Sequence, residues 1–418
     1  MTNGVGRSSI VAAFACLLML WFIAPAAQAQ SYSVIHNFSG GGDGATPMAG
    51  LTFDRAGNLY GTANYGGNFG GNCGASGCGI VYRLSNHNSS WILAPLYSFR
   101  GGNDGMNPQR ASVVFGPDGS LYSTTYGGGG SCRLSEQGCG TVFKLQPPAN
   151  SCTSVSCPWI ETILHSFNGD DGSGPLGALI FDRQDNVDGV TSTGSLRNGG
   201  TVYQLAQLSQ MEDILSHPYG YPGSGVSMDH AGNLYGSTFL AADGPGAVFE
   251  LTPSGSNWIN TQLYAFTGGD DGGHPLAGVL LDAAGNLYGA TTTEGSGQGG
   301  TVFELTPSNG GWSFSLVYSF PGPANGLMVV GPIGDLIMDA AGNLYGTTFS
   351  DGAFGFGAVF QLTHSDSGWT YTSLHDFTNG TDGGFPYSNL VFDANGNIYG
   401  TASTGGAFGA GVIFEVTR

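Results

Sequence analysis

The stretch Asp-Ala-Ala-Gly-Asn-Leu-Tyr-Gly at residues 339–346 decides the fold, because it recurs along the chain. It returns with the same Gly-Asn-Leu-Tyr-Gly core at residues 54–61, 229–236 and 282–289. A near copy stands at residues 393–400, and two degraded copies stand at residues 115–122 and 182–189. Seven copies with a period of 47 to 66 residues indicate four-stranded propeller blades better than helical repeats or short solenoid coils.

Each repeat unit predicts four strands. The first is the apolar stretch before the Asp, such as residues 51–53, and the second begins at Asn-Leu-Tyr-Gly. The third is a Gly-Thr-Val-Phe-Glu-Leu stretch, as at residues 300–305. The fourth opens with Trp and ends eight residues later with Phe, and this even spacing places both rings on one face of the strand. The pairs are Trp91 and Phe99, Trp159 and Phe167, Trp258 and Phe266, Trp312 and Phe320, and Trp369 and Phe377.

The two ends of the chain complement each other. The last unit stops after its third strand, at residues 411–416, whereas residues 32–38 resemble a fourth strand. Pairing the N-terminal strand with the last three strands would close a ring and remove exposed sheet edges. The sequence therefore predicts an all-β fold: a seven-bladed β-propeller of four-stranded antiparallel blades, closed by the N-terminal strand. An open β-solenoid is the alternative.

Composition supports a folded β protein and excludes some partners. The chain of 418 residues holds 75 Gly and 19 Pro, which oppose a helical fold, and its 12% aromatic content opposes disorder. The net charge is −19, and Lys144 is the single lysine. Such a surface repels phosphate backbones and anionic lipid, so we expect no nucleic-acid partner and no peripheral membrane binding.

The N-terminus predicts a secreted protein. Arg7 precedes an apolar run at residues 10–23, and Ala27-Gln28-Ala29 has the small-x-small pattern of a signal-peptidase site. We therefore expect a signal peptide at residues 1–29 and a single propeller domain at residues 30–418, in a secreted or periplasmic monomer without a membrane span after cleavage. An uncleaved membrane anchor is the alternative.

Several of these runs resemble a known family. Gly-Asn-Leu-Tyr-Gly-Thr-Thr at residues 342–348, Gly-Gly-Thr-Val-Phe-Glu-Leu-Thr-Pro at 299–307 and Leu-Tyr-Ser-Phe at 96–99 resemble the GloVer tandem repeat of secreted bacterial proteins. The resemblance covers nearly the whole mature chain. It implies a secreted repeat protein with no assigned enzymatic activity. Members of the family often carry a C-terminal surface-sorting anchor, but this sequence stops at its last predicted strand, which puts surface attachment in doubt.

Six cysteines form three close pairs, each within an insertion relative to the repeat. Behind a signal peptide, such pairs predict local disulfides that staple long loops. A four-cysteine zinc site built from neighbouring pairs is the alternative, although the intervals are longer than the usual ligand spacing. The expected bonds join Cys73 to Cys78, Cys132 to Cys139 and Cys152 to Cys157.

Two sets of aspartates recur. The Asp of Asp-x-x-Gly is expected to accept backbone N–H bonds in a tight turn between the first and second strands. A second set precedes Gly in the connections between blades: Asp43, Asp104, Asp171, Asp271 and Asp382. Gly-rich loops with Asp can ligate Ca²⁺, so calcium is a possible cofactor beside the alternative of ordinary turns. No other cofactor is expected.

The histidines and the known motifs do not mark an enzyme. His36, His165 and His375 occupy a fourth-strand position that is Tyr in other units, which favours a packing role. No nucleophile elbow, zinc-protease helix, phosphate loop or dinucleotide fingerprint is present. We therefore expect a binding or scaffolding module for an extracellular ligand, carbohydrate or protein. The alternative is a metal-dependent hydrolase or lyase that resembles lactonase propellers.

Strand direction predicts where a ligand would bind. In an up-and-down blade, the loops between second and third strands emerge on the same face as the connections between blades. That face collects the five connection aspartates, the loops with the first two cysteine pairs, and three loop aromatics: Tyr65, Tyr126 and Phe354. We predict that these eight residues form the ligand-binding face.

Overall fold

The computed structural model describes residues 30–88, 90–148, 159–194, 199–206, 212–216, 220–241, 244–255, 257–322 and 331–418. The proposed signal peptide lies outside these residues. Seven antiparallel sheets of the described strands form the blades, and strand order in them follows chain order apart from the closing strand. The prediction of an all-β, seven-bladed propeller is confirmed.

The blades are numbered along the chain, and each has four strands except blade 4, whose first strand is split. Blade 1 holds Thr52–Phe53, Leu59–Ala63, Ile80–His87 and Ser90–Ser98; blade 2 holds Val114–Phe115, Leu121–Thr125, Thr141–Gln146 and Ile160–Ser166; blade 3 holds Ser173–Phe181, Val187–Thr193, Thr201–Leu205 and Glu212–Ser216; blade 4 holds Gly220–Pro222 with Ser227–Met228, Leu234–Ala241, Ala247–Ser254 and Asn257–Ala265.

The same plan continues to the end of the chain. Blade 5 holds Leu280–Leu281, Leu287–Thr291, Thr301–Ser308 and Gly311–Ser319; blade 6 holds Ile337–Met338, Leu344–Thr348, Ala358–Ser365 and Gly368–Asp376; blade 7 holds Val391–Phe392, Ile398–Ala402, Val412–Thr417 and the N-terminal Ser31–Asn37. A small sheet pairs Gly105–Met106 with Gly127–Gly128, and one 3₁₀ turn covers Gly71–Cys73.

The N-terminal strand closes the ring as predicted. Ser31–Asn37 pairs antiparallel with Val412–Thr417, with Ser31 opposite Thr417 and Asn37 opposite Val412. The closing strand also contacts blade 6, because the Gln30 side chain donates to the Leu374 carbonyl at 2.7 Å. Closure pairs the third strand of blade 7 with the N-terminal strand. The alternative of an open solenoid is wrong.

Burial decreases from the second strand of a blade to the fourth. All five residues of Leu344–Thr348 are buried, whereas in Asn257–Ala265 exposed and half-buried residues alternate along the first half of the strand. Second strands lie between neighbouring blades on both faces, and fourth strands lie at the rim with one face in water. Except for Ser173–Phe181 in blade 3, the first strands are shorter than predicted, because the residues just before them, such as Gly50, pack against other blades at the propeller axis.

Glycine in the second strand permits close packing within a blade. Gly346 lies opposite Phe360 of the third strand, and a Cβ at this position would lie 2.7 Å from the Phe360 ring. Since real Cβ atoms do not approach so closely, a side chain here would displace the buried aromatic ring. The Gly of Asn-Leu-Tyr-Gly is therefore required by the core.

Two names are used below for the ends of the propeller. The turn face carries the Asp-x-x-Gly turns and the hairpins between third and fourth strands. The connection face carries the loops between second and third strands and the connections between blades. The turns form as predicted: Asp54 Oδ1 accepts the backbone N–H groups of Ala56 and Asn58, at 2.8 and 2.9 Å, and Gly57 has a φ of 81°.

Aromatic contacts join neighbouring blades near the turn face. The Tyr of Asn-Leu-Tyr-Gly in one blade meets the Trp that opens the fourth strand of the next blade. The ring centroids are 6.1 Å apart for Tyr399 and Trp91, 6.4 Å for Tyr60 and Trp159, 6.2 Å for Tyr235 and Trp312, and 6.4 Å for Tyr288 and Trp369.

Cations stand against the tyrosine at two junctions whose next blade has no Trp at that position. Arg418 lies 4.7 Å from the Tyr345 ring centroid and 3.3 Å from the Asp339 carboxylate. Lys144, the single lysine of the chain, lies 5.6 Å from the Tyr122 centroid and 2.5 Å from the Asp118 carboxylate. A cation over an aromatic face supplies part of the attraction that the indole ring provides elsewhere.

Candidate functional site

The connection face brings together the two sets of loops that the sequence assigns to it. Ala45, from a connection between blades, and Tyr65, from a second-to-third-strand loop, exchange two backbone hydrogen bonds of 2.9 and 3.0 Å. Gly384 and Thr404 do the same at 3.1 and 3.2 Å in blade 7. These bonds make each pair of loops one ordered surface, as expected from strand direction.

The five connection aspartates are held by their own loops. In each, a carboxylate oxygen accepts the backbone N–H of a residue three or four positions earlier, at 2.8 or 2.9 Å. Each carboxylate also contacts a Tyr or His of the preceding fourth strand. The pairs are Asp43 with His36, Asp104 with Tyr97, Asp171 with His165, Asp271 with Tyr264, and Asp382 with His375.

At these pairs, hydrogen bonds and neighbouring charges oppose the effect of burial on the pKa values. Partial burial works to raise the pKa of Asp271, but hydrogen bonds from Thr267 and Tyr264 outweigh it, so the pKa lies below its usual value. Burial lowers the pKa of His375, although Asp382 acts in the opposite direction. His165 and His375 thus do more than pack, since each lies within hydrogen-bond distance, 3.1 Å, of a connection aspartate. Any Ca²⁺ ion would compete with these N–H and O–H donors, and calcium binding stays a prediction.

Exposed aromatic side chains mark the same face. Tyr65, Tyr126 and Phe354, which the sequence selects, are 37%, 42% and 58% exposed. Three further aromatics of the described residues are about equally exposed on this face and were missed: Phe69 and Phe408 in loops, and Tyr221 in the short strand that opens blade 4. The signal for Phe69 and Phe408 is their place in the Gly-rich loops, outside the alternation of the strands.

Two of the expected disulfides are present, and they shape loops of this face. Cys73 is bonded to Cys78, and Cys132 is bonded to Cys139, with Cα atoms 4.8 and 5.3 Å apart. Cys73 and Cys78 pack with Phe99 in a buried cluster, so the first staple ties its loop to the blade core. The third pair, Cys152 and Cys157, lies outside the described residues. Disulfides are typical of an oxidising compartment.

The propeller axis holds an arginine that the sequence interpretation missed. The segment from Pro108 to the end of the first strand of blade 2 is one residue longer than the equivalent segments of the other blades. Arg110 lies in this segment and has a φ of 56°. Its guanidinium donates to the Leu276 and Ile333 carbonyls, at 2.8 and 3.3 Å, on the far side of the axis. The extra residue is the signal in the sequence that could have marked Arg110. Its partners come from distant blades, which only the closed ring brings near it.

A second set of contacts surrounds Asp335 at the axis. Its Oδ1 atom accepts the Gly278 N–H at 2.5 Å and the Ser224 hydroxyl at 3.0 Å. Asn389 donates its amide to Asp335 Oδ2 at 2.8 Å and accepts the Asp335 N–H at 2.9 Å. These bonds link blades 4, 5, 6 and 7, and Arg110 from blade 2 adds a positive charge nearby.

Two searches of the described residues gave negative findings. Within the described ranges, no group of three or more His, Cys, Asp and Glu side chains has an arrangement that could hold a metal ion. The part of the chain that the structure describes also contains no helix with the length and apolarity of a membrane span.

Comparison with known sequences settles the family. The Gloeobacter/Verrucomicrobia repeat profile matches residues 70–238 and 213–414, which together cover most of the propeller. The chain belongs to this family. The match confirms the resemblance based on the Gly-Asn-Leu-Tyr-Gly and Gly-Thr-Val-Phe-Glu-Leu runs. No curated protein matches this member of the family.

Solved structures share the architecture at low identity. A fungal alcohol oxidase of the AA5 family, in complex with copper, is 12% identical, with a TM-score of 0.57 over 92% of this chain and 76% of the oxidase. A 6-phosphogluconolactonase-like protein from Bacteroides uniformis is 14% identical, with a TM-score of 0.48 over 77% of this repeat protein and 84% of its own chain. The oxidase supports the propeller fold alone.

Proposed function

We propose that this repeat protein is a secreted binding module that holds a carbohydrate on its connection face. The observation that carries the proposal is the placement of exposed aromatic rings. Eight of the twelve exposed large hydrophobic side chains of the described residues lie on this face, and six of these eight are aromatic. The other four lie on the outer strands: Ile92, Ile160, Ile259 and Leu316.

The loops that carry these rings are ordered before any ligand arrives. Backbone pairs such as Ala45 with Tyr65, the carboxylates of the connection aspartates and two disulfides hold them. A preorganised surface loses little entropy on binding. Aromatic faces stack against the apolar faces of sugar rings, and the net charge of −19 favours neutral or cationic ligands over anionic ones.

The axis contacts favour binding over the lactonase-like alternative. An enzyme of that type needs oxygen and nitrogen ligands that converge at one mouth of the channel. In the described structure, the Asp335 carboxylate at the axis accepts bonds from Gly278, Ser224 and Asn389, and Arg110 extends across the axis. The signal peptide expected at residues 1–29 and the disulfides support a secreted or periplasmic location.

Calorimetry with cellohexaose, xylohexaose and chitohexaose tests the proposal. We expect at least one of them to bind, and the combined substitutions Tyr65→Ala, Tyr126→Ala and Phe354→Ala to weaken that binding about tenfold or more. The matched control is Ile92→Ala with Ile160→Ala and Ile259→Ala, which removes exposed apolar groups from the outer strands. Absence of binding to all three sugars, or equal loss in the control, would refute the proposal.

The connection aspartates offer a second variant. Asp171→Asn together with Asp271→Asn weakens the acceptors that order two loops but keeps the side-chain size. We expect weaker sugar binding with an unchanged far-ultraviolet spectrum, since these carboxylates act within their loops. Full affinity in this double variant would show that these aspartates do not contribute to sugar binding.

A further inference from the structure

The junction between blades 3 and 4 departs from the aromatic pattern on the turn face. Four other junctions place the Tyr of the repeat against a Trp, as Tyr235 does against Trp312. Blade 4 supplies the usual Trp258, but blade 3 has Asp188 where the Tyr should stand. A small acidic side chain therefore replaces a large ring beneath a tryptophan that remains in place.

Asp188 is buried and incompletely bonded. The residue is 0% exposed, and its Oδ1 atom accepts the Gln204 amide at 2.8 Å. Its Oδ2 atom is buried and has no hydrogen-bond partner among the described residues. An unsatisfied buried polar atom costs about 1–3 kcal/mol in stability. Asp188 is thus an acid in a position where the repeat places a buried ring.

A polar groove lies at this junction. It has a volume of about 760 Å³, within the range of small-ligand sites. Its blade 3 side includes Asp182, Asn186 and Gln204, and its blade 4 side includes Met228, Asn257 and Trp258. Gln204 connects the groove to the buried carboxyl, because its amide also lies 3.3 Å from Asp182 Oδ2. Asp188 and Gln204 are opposite each other in the sheet, so both side chains project from the same face of blade 3.

We propose that this groove binds a neutral pyranose sugar. The apolar face of the ring would stack on the half-buried Trp258 indole, and the hydroxyl groups would donate to the side-chain amide oxygens of Gln204 and Asn186, which line the groove. The two Asp182 oxygens already accept four hydrogen bonds from the backbone of their turn and from Asn186 and Gln204. Asp188 lies outside the residues that line the groove and is joined to it through the Gln204 amide. This chemistry suits a sugar because hydroxyl groups pair with amide oxygens without adding charge, and flat apolar ring faces match indole.

The site is independent of the proposed function. It lies on the turn face, opposite the exposed aromatics of the connection face, and uses none of their residues. The neighbouring groove between blades 4 and 5 provides an internal contrast. That groove is larger, about 960 Å³, but Tyr235 occupies the aspartate position, and its lining is mostly apolar, with Leu280, Leu281 and Pro307.

Saturation-transfer NMR with methyl β-glucopyranoside, methyl β-galactopyranoside and methyl α-mannopyranoside tests the site. We expect transfer to at least one of these monosaccharides. Asp188→Tyr, which restores the residue of the repeat, should abolish it, and Trp258→Ala should weaken binding about tenfold. Trp312→Ala, the matched control at the next junction, and the connection-face triple variant should both leave the signal unchanged.

Three outcomes would overturn this site. The first is the absence of transfer to all three sugars in the unmodified protein. The second is full transfer in Asp188→Tyr. The third is equal loss in Trp258→Ala and Trp312→Ala. If Asp188→Tyr does not fold, Gln204→Ala provides the second variant: it lies at the groove surface, and undiminished binding in it would refute the site equally.

Discussion

The junction between blades 3 and 4 and the junction between blades 4 and 5 share one strand plan but differ in chemistry. At the second, Tyr235 meets Trp312 and hydrogen-bonds to Asp229 and Glu250, at 3.2 and 3.1 Å. At the first, Asp188 takes the place of the Tyr. The difference lies in the chemistry of the two grooves: the one with Tyr235 is lined mostly by apolar residues, and the one at the aspartate junction is polar. The backbone pairing of both blades is kept.

Two other junctions show that the scaffold accepts more than one solution. Arg418 and Lys144 place a cation against a tyrosine that has no tryptophan partner from the next blade. In these cases the change keeps the tyrosine and satisfies every charge, since each cation contacts an aspartate. Only the blade 3–4 junction replaces the tyrosine with a carboxyl group. We expect the unsatisfied carboxyl oxygen to make this junction less stable than the others.

We expect the largest loss of stability when the junction between blades 4 and 5 is given the aspartate of the junction between blades 3 and 4. Tyr235→Asp removes a buried ring and adds a carboxylate beside Asp229 and Glu250. We expect a loss of about 3–5 kcal/mol in the free energy of unfolding. Chemical denaturation followed by tryptophan fluorescence measures it. Tyr235→Phe, which removes the hydroxyl alone, is the control, and a loss below about 1 kcal/mol for Tyr235→Asp would contradict the comparison.

A smaller, pH-dependent effect is expected at Asp188. Burial raises the pKa of this carboxyl to about 7, and Asp182 adds to the rise, while the Gln204 hydrogen bond opposes it. The folded state therefore keeps a proton that the unfolded state releases at lower pH, so the stability that Asp188 contributes is lost as the pH rises from about 4 to 7.

Asp188→Asn removes this titration at nearly constant size. We expect the variant to match the parent protein near pH 4 and to exceed it by about 1–3 kcal/mol at pH 8. Thermal unfolding across this pH range is the measurement. Glu161, whose pKa burial and Asp104 raise to about 7, titrates in both proteins and cancels in the difference. A difference that does not depend on pH would show that Asp188 is charged throughout.

The smallest effects are expected at the cation junctions. Arg418→Ala removes both the contact with the Tyr345 ring and the ion pair with Asp339, and we expect a loss of about 1 kcal/mol. Lys144→Ala is the matched change at blade 2, with a loss of similar size. Half of each effect should disappear in high salt, because ion pairs near the surface are screened. Losses above about 3 kcal/mol would mean that these cations support closure of the ring itself.

The sequence predicts the fold and the local devices of this protein. Seven copies of one pattern, the even spacing of Trp and Phe, and the complementary chain ends were enough to predict a closed propeller. The Asp-x-x-Gly turns and two disulfides were predicted correctly because their partners stand within a few positions of each other along the chain. The loops of the connection face were also predicted, since strand direction alone decides where they emerge.

Only the tertiary structure revealed the contacts between blades. Arg110 reaches the Leu276 and Ile333 carbonyls, 166 and 223 positions away, because the closed ring brings distant blades to one axis. Asp188 stands in a degraded repeat, and its burial under the next blade depends on how two sheets pack. Repeats determine register within a blade, through local hydrogen bonds. The contacts between blades depend on the volume and charge of side chains that face each other across a junction. The spacing of residues along the chain does not predict these contacts.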